Sequence, residues 1–218
     1  MKFLKPWLQE YIVETLPEDS VIVTTLNKKA FEVEEIITTE QGTVFDIKVL
    51  PNRAHDSLGH HGMAFELCAS LGLTFKKDIR VKDSEAFYDK HIETPQVTIV
   101  DEIACTRFAA LRVDNVVVGE SPKWLKERLE AIGQRSINNI VDVTNYVQFS
   151  LNKPMHAYDA RSIKGTLSAR YASPSETLTT LDDKSLTLDA STLVIADDEK
   201  VLGLAGIKGG KFSGVQGD

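Results

Sequence analysis

The sequence predicts an α+β protein in two parts: a small winged-helix-like unit, then a β-rich region carrying two helices. Three observations predict it. Apolar residues in the N-terminal part recur at helical spacing, and those beyond about residue 95 alternate in short runs. Between them, residues 76–95, "KKDIRVKDSEAFYDKHIETP", are highly charged and close on a proline, as a linker does. The boundary is placed near residue 88, dividing the chain into 1–88 and 89–218.

In the first part, "LKPWLQEYI" puts Leu4, Leu8, Tyr11 and Ile12 on one helical face. After Pro17, "EDSVIVTTLNKK" suits a helix capped near Asp19 or Ser20, while its Val-Ile-Val-Thr-Thr run also suits a strand. "FEVEEI" and "TVFDIKV" flank a turn at Gln41-Gly42, with Phe45, Ile47 and Val49 on one strand face. Two short helices and a hairpin suggest the winged-helix-like unit. In "LPNRAHDSLGHHGMAFELCASLGL", Pro51-Asn52 marks a turn and Asp56 or Ser57 can cap a helix. Ala64, Leu67, Cys68 and Leu71 form its stripe, and Gly72 can end it.

The second part reads mostly as strands: "QVTIV", "RFAALRVDNVVV", "GTLSARYA", "ETLTTL", "SLTL" and "TLVIA", with turns at Asp182-Asp183 and Asp197-Asp198. Two helices interrupt. "SPKWLKERLEAIGQ" has Ser121 as cap, Pro122 at the first helical position and Gly133 past the end, with Trp124, Leu125, Leu129 and Ile132 as a stripe. The other lies in "SINNIVDVTNYVQFSLNKPMHAYDA", residues 136–160, with Ile140, Val143 or Thr144, and Val147 on one face. This stretch reads as core yet carries Asn138, Asn139, Asp142, Thr144 and Asn145, and it runs on to His156. A buried polar group without a partner costs roughly 1–3 kcal/mol. These groups therefore either satisfy the backbone or line a site.

Composition sets limits. A chain of 218 residues hides about 70% of its unfolded surface, and 42% apolar with 26% charged residues is ordinary globular usage. The net charge of −7 and pI near 5.3 argue against a stand-alone, non-specific binder of DNA or RNA, though not against RNA contact through a local patch. Cys68 and Cys105 have no metal spacing, and His55, His60 and His61 are not set as ligands on one helical face, so no metal site is expected. No signal peptide and no apolar run long enough to span a bilayer is found, so a cytoplasmic location without membrane contact is expected.

The glycine-rich "GLAGIKGGKFSG", residues 203–214, is not a Walker loop, because Ala205 stands where the first glycine belongs and Phe212 follows Lys211. It fits a pair of turns; it also fits a place where a ligand meets bare backbone N–H groups. His156, Thr144 and Asn145 suit either a structural or a site role. Lys123, Lys126, Arg128 and Arg135 form a locally basic helix, diluted by Glu127 and Glu130, which reads as a solvated face or as a weak RNA contact.

"RSINNIVDVTNYVQFSLNKPMHAYD" closely resembles the hallmark segment of the editing domain in the β subunit of bacterial phenylalanyl-tRNA synthetases, and "GLAGIKGGKFSGV" resembles that domain's later glycine-rich segment. "PNRAHDSLGHHGMAFEL" looks like the family's Pro-Asn-Arg motif, and Trp7-Leu8 with "FEVE" resembles the subunit's start. Only "EIITTEQGTVFDIKV" separates the last two, so the oligonucleotide-binding-fold domain found there in many relatives is absent.

The resemblance implies a barrel-like editing domain that hydrolyses tyrosine wrongly esterified to phenylalanine tRNA. A hydrophobic pocket discriminates against one added hydroxyl only roughly 10²-fold, so a second, hydroxyl-recognising site is needed. It implies that Thr144, Asn145 and His156 line this pocket, that Ala205, Gly206 and Gly209 offer backbone to the substrate, and that His156 positions water or holds the ester. Asn145, His156 and the Gly206–Gly209 loop are then expected to converge on one cleft. It further implies phenylalanine tRNA and, through downstream domains, the synthetase α subunit as partners. No cofactor is expected in this chain; ATP and magnesium belong to the synthetase elsewhere. The family's remaining pocket glutamate would lie beyond Asp218, so the chain alone is expected to edit weakly or not at all. The alternatives are a non-catalytic tRNA- or subunit-binding module of the same synthetase and a stand-alone editing protein.

Overall fold

A computed structural model describes residues 1–76 and 93–215. The architecture is mixed α and β, with two compact units that are not contiguous in sequence. The first combines residues 1–76 with Gly119–Met155; the second combines residues 93–118 with His156 onward. The boundary expected near residue 88 lies outside the described residues.

The first unit opens with β1 (Lys2–Leu4) and α1 (Lys5–Gln9), shorter than the helix expected over residues 4–12 because Leu4 joins the sheet. The ambiguous run after Pro17 is helical: α2 (Asp19–Lys29) buries Ile22 and Leu26, one turn apart. Its Asp19 is held by Lys5 at 2.6 Å and by the Thr43 hydroxyl at 2.8 Å. β2 (Glu32–Thr39) and β3 (Gly42–Lys48) make the expected hairpin, and β1 adds antiparallel to β3, giving the order β1-β3-β2. Central β3 buries Val44, Phe45 and Ile47.

The Pro-Asn-Arg segment forms one 3-10 turn, Pro51–Arg53, leading into α3 (Ala54–Ser57) and α4 (His60–Leu71). Neither Asp56 nor Ser57 caps the longer helix; its cap is Gly59, and the chain turns so tightly that the Asp56 carbonyl occupies the space a Cβ on Gly62 would need. Gly72 ends α4 in the left-handed conformation, φ +72°, as its position predicts.

The two helices expected to pack on the second part belong instead to the first unit. They are α5 (Lys123–Ala131) and α6 (Asn139–Leu151); α6 packs on both α4 and α5. Ser121 does not cap α5; its hydroxyl is engaged by Asp142, and Pro122 takes the cap position. On α6, Val143 is half exposed, whereas Tyr146 and Phe149 pack against the core and Asp142 and Ser150 are buried. The buried stripe is therefore rotated from the Ile140–Val143–Val147 face the apolar pattern suggested.

The centre of this unit is a ring stack. The His60 imidazole lies on Trp7 with centroids 3.9 Å apart, and Tyr146 lies on Trp7 at 4.9 Å. His60 is fully buried. Its Nε2 accepts the Leu4 N–H at 3.1 Å, so the proton resides on Nδ1, which donates to the Phe149 carbonyl at 2.8 Å. One neutral imidazole thereby joins β1, α4 and α6. Burial pushes its pKa down to about 3.

The second unit holds an open five-stranded sheet of order β10-β9-β8-β5-β4: β4 (Val97–Ile99), β5 (Leu167–Tyr171), β8 (Leu193–Ala196), β9 (Val201–Leu204) and β10 (Lys208–Gly209). Only the β4–β5 pair is parallel. A separate hairpin joins β6 (Thr177–Thr179) to β7 (Ser185–Thr187). Val194, Ala196, Leu178, Leu188 and Val201 make its small core. The run at 107–118, expected as a strand, is irregular, and Leu111, Val113 and Val117 are exposed. Alternating apolar residues form a strand only where a neighbouring backbone pairs with them, and 107–118 lies in no ladder of the described residues. Without that strand the described sheet is not closed into a barrel.

Candidate functional site

Most polar groups of the 136–160 stretch serve the chain's own backbone. Asn138 caps α6, its side-chain oxygen accepting from the Ile140 and Val141 amides. The Asn139 side-chain oxygen accepts the Gly119 N–H. Asn152 ends the helix in the left-handed conformation and donates to the Ala54 and His55 carbonyls. Asp142, fully buried, accepts from the Ser121 hydroxyl at 2.5 Å, the Ser136 hydroxyl at 2.6 Å and the Ile137 amide at 2.9 Å. Thr144 donates back to the Val141 carbonyl. Asn145, half-buried, makes no side-chain hydrogen bond among the described residues. Thr144 and Asn145 both stand on α6 of the first unit.

His156 belongs to the second unit, where it meets the glycine-rich segment. That segment is a hairpin more than a pair of loose turns: β9 and β10 pair as Leu204 with Lys208 and Gly203 with Gly209. Ala205, Gly206 and Ile207 form its tip. The Ala205 N–H donates to the Leu193 carbonyl and the Ile207 N–H to the Leu204 carbonyl. Gly206, left-handed at φ +69° with open space where a Cβ would stand, is exposed, and its N–H has no partner among the described residues.

Three residues along, the His156 ring sits against the Gly209 backbone. A Cβ on Gly209 would lie 2.8 Å from Nε2 and 3.1 Å from Nδ1. Tyr158 meets the same ring edge-on, with centroids 4.5 Å apart at 65°. Neither imidazole nitrogen makes a hydrogen bond among the described residues. Although the residue is exposed, partial shielding of the ring lowers the His156 pKa from its ordinary value, and the same cause pushes the Tyr158 phenol up to about 12. His156 is thus neutral at pH 7, with one nitrogen able to accept a proton. Tyr158 escaped the sequence reading, yet Pro154-Met155-His156-Ala157-Tyr158 held a signal: in extended chain, residues two apart point to the same side.

The β6–β7 hairpin braces this loop. Thr180 bridges Gly210, the Lys211 amide donates to the Thr179 carbonyl, Lys208 pairs with Asp182 at 2.8 Å and Lys211 pairs with Asp183. The Lys208 ammonium, with the Thr180 hydroxyl, holds the Asp182 carboxyl well below the usual range.

Of the basic helix residues, Lys123 pairs with Glu127 at 3.6 Å, while Lys126 and Arg135 are exposed. The Arg128 guanidinium is engaged within the first unit: it pairs with Glu10, donates to the Tyr146 hydroxyl and lies over Trp7, Trp124 and Tyr146.

The second unit is thus an open sheet with a histidine seated on a glycine hairpin, and α5 and α6 fall between β4 and β5 in sequence. The B3/4 domain family model matches residues 104–218, just over half the chain, and the chain belongs to that family. Curated proteins similar to it include phenylalanine–tRNA ligase beta subunits. That of Rhodopseudomonas palustris is 44% identical over 171 residues, covering 78% of this chain and 21% of the relative. That of Fusobacterium nucleatum is 39% identical over 197 residues, covering 90% and 23%. The chain thus spans less than a quarter of the length of either relative. Among solved structures, an N-terminal fragment of the phenylalanyl-tRNA synthetase beta subunit from Pyrococcus horikoshii matches with a TM-score of 0.50 and 12% identity, over 99% of this chain and 64% of that one. At that identity the likeness is one of fold alone.

Proposed function

We propose that the chain carries the proofreading site of a phenylalanine–tRNA ligase beta subunit and hydrolyses tyrosine esterified to phenylalanine tRNA. The observation that carries this reading is His156: an imidazole whose pKa burial lowers and whose two nitrogens make no hydrogen bond among the described residues, set against a glycine hairpin whose tip amide has no partner among them. In the proposed reaction His156 accepts a hydrogen bond from water and aims it at the ester carbonyl. The water oxygen bonds to the carbonyl carbon, the carbon–oxygen bond to the ribose breaks, and the proton passes by way of the imidazole to the departing ribose oxygen. The Gly206 N–H is the donor available to the carbonyl oxygen as negative charge develops on it. Phenylalanine tRNA and the synthetase α subunit are the proposed partners.

The test is deacylation of tyrosyl- and phenylalanyl-charged phenylalanine tRNA, by this chain and by a longer one continuing through the relatives' downstream region. Tyrosine should be released in preference to phenylalanine, and His156→Ala should slow release about 10²-fold, the lower range for a positioned acid–base group. Undiminished hydrolysis by His156→Ala would overturn the assignment. Retention of tRNA without hydrolysis by either chain would favour the binding-module alternative.

A further inference from the structure

A catalytic histidine is ordinarily oriented by a hydrogen bond at its second ring nitrogen, from a carboxylate or a backbone carbonyl. His156 has none among the described residues. What confines its ring is packing: the backbone of Gly209 on one side and the edge of Tyr158 on another. We propose that Gly209 and Tyr158 are positioning residues, Gly209 a seat whose missing Cβ admits the His156 ring and Tyr158 a wall that fixes its tilt. This rests on the reading of His156 given above, and it changes the role expected of Gly209. The three nearest atoms to a Cβ at that position all belong to His156, so on that side the glycine faces the imidazole and not a substrate. Substrate contact then falls to the hairpin tip at Gly206.

Two further observations agree. The Tyr158 hydroxyl makes no hydrogen bond among the described residues, so the ring and not the phenol does the work. The lowering at His156 has burial as its cause with no charged partner contributing. Gly209 is outside the left-handed region, so alanine there meets an obstacle in the ring and not in its own backbone.

That last point gives the experiment. In residues 1–218, Gly209→Ala, His156→Ala and the double variant are compared by amide exchange in β8 and β9, where protection reports the second unit's stability. Gly209→Ala should reduce protection about tenfold with His156 present and about twofold or less with His156→Ala, because removing the ring relieves the clash. Equal losses in the two backgrounds would overturn the seat. Separately, nuclear Overhauser contacts from the His156 ring protons to the Gly209 α protons should survive in Tyr158→Phe and vanish in Tyr158→Ala. If they persist in Tyr158→Ala, the wall is wrong; if Tyr158→Phe loses them, the hydroxyl matters and the packing argument fails. Where hydrolysis is measurable, Tyr158→Ala should lower kcat with KM held, and Tyr158→Phe should restore it. Absence of hydrolysis by the longer chain in every variant, the unsubstituted one included, would count against the proposed reaction and leave the exchange and contact measurements to decide the positioning roles.

Discussion

Lowering the pH from 7 to 5 is expected to cost the first unit about 2 kcal/mol through His60 alone, at about 1.4 kcal/mol per unit over about 1.5 units. The unfolded chain takes up a proton on this histidine near its ordinary pKa of about 6.5, whereas the folded chain refuses it until about 3. The unfolded state therefore binds more protons throughout that window. The contribution is fully present above 6.5 and is lost progressively as the pH falls towards 3. The cause is in the fold: Nε2 already accepts the Leu4 amide, and protonating it would break that bond and place a buried cation on Trp7, near Arg128. Urea unfolding followed by tryptophan fluorescence is the assay, because both tryptophans, Trp7 and Trp124, lie in the first unit. His60→Gln is the control. Its amide can accept from Leu4 and donate to Phe149 but cannot titrate, and loss of the ring stack should cost about 1 kcal/mol at every pH. Any contribution of His61, whose pKa burial also lowers, is common to both proteins and cancels in the difference. If the parent and His60→Gln curves run parallel between pH 5 and 7, the neutral-imidazole account is refuted.

Two other outcomes follow from the packing of the first unit. Asp142→Ala leaves the Ile137 amide and two hydroxyls without their acceptor and should destabilise by about 2–3 kcal/mol, with Asp142→Asn intermediate, as read by the urea midpoint. Gly62→Ala drives a methyl into the Asp56 carbonyl and should cost more than about 3 kcal/mol, seen as loss of the dispersed tryptophan and amide signals of this unit; a well-folded variant would show that the turn between α3 and α4 yields.

Local chemistry was legible wherever a residue type forces a conformation. Gly72 and Gly133, at φ +72° and +82°, marked helix ends, and Gly42 marked the hairpin. What sequence could not supply was the partner. α2 and a strand are equally good readings of Val-Ile-Val-Thr-Thr until Ile22 and Leu26 find the core. The run at 107–118 alternates as a strand should, yet a strand is a pairing, and none of the described strands pairs with it. The site followed the same division. His156 and Gly209 were singled out by their types and by family likeness, while Tyr158, whose ring touches the imidazole, lies outside the residues that the likeness names. The polar groups of 136–160 suited either the backbone or a pocket; Asn138 proves to be a cap, and Asn139 and Asp142 accept from backbone amides at Gly119 and Ile137.

The interleaving of the two units bears on how the chain is made. Synthesis runs from the N-terminus, and domains generally fold as units as they emerge. Here residues 93–118, which belong to the second unit, are translated before Gly119–Met155, which the first unit still lacks. A nascent chain that has reached residue 118 holds Trp7 without Tyr146 and His60 without the Phe149 carbonyl that its ring meets in the finished unit. The first unit cannot close around its N-terminal core until the second has begun, and the interval between them is when that apolar surface is open to other chains.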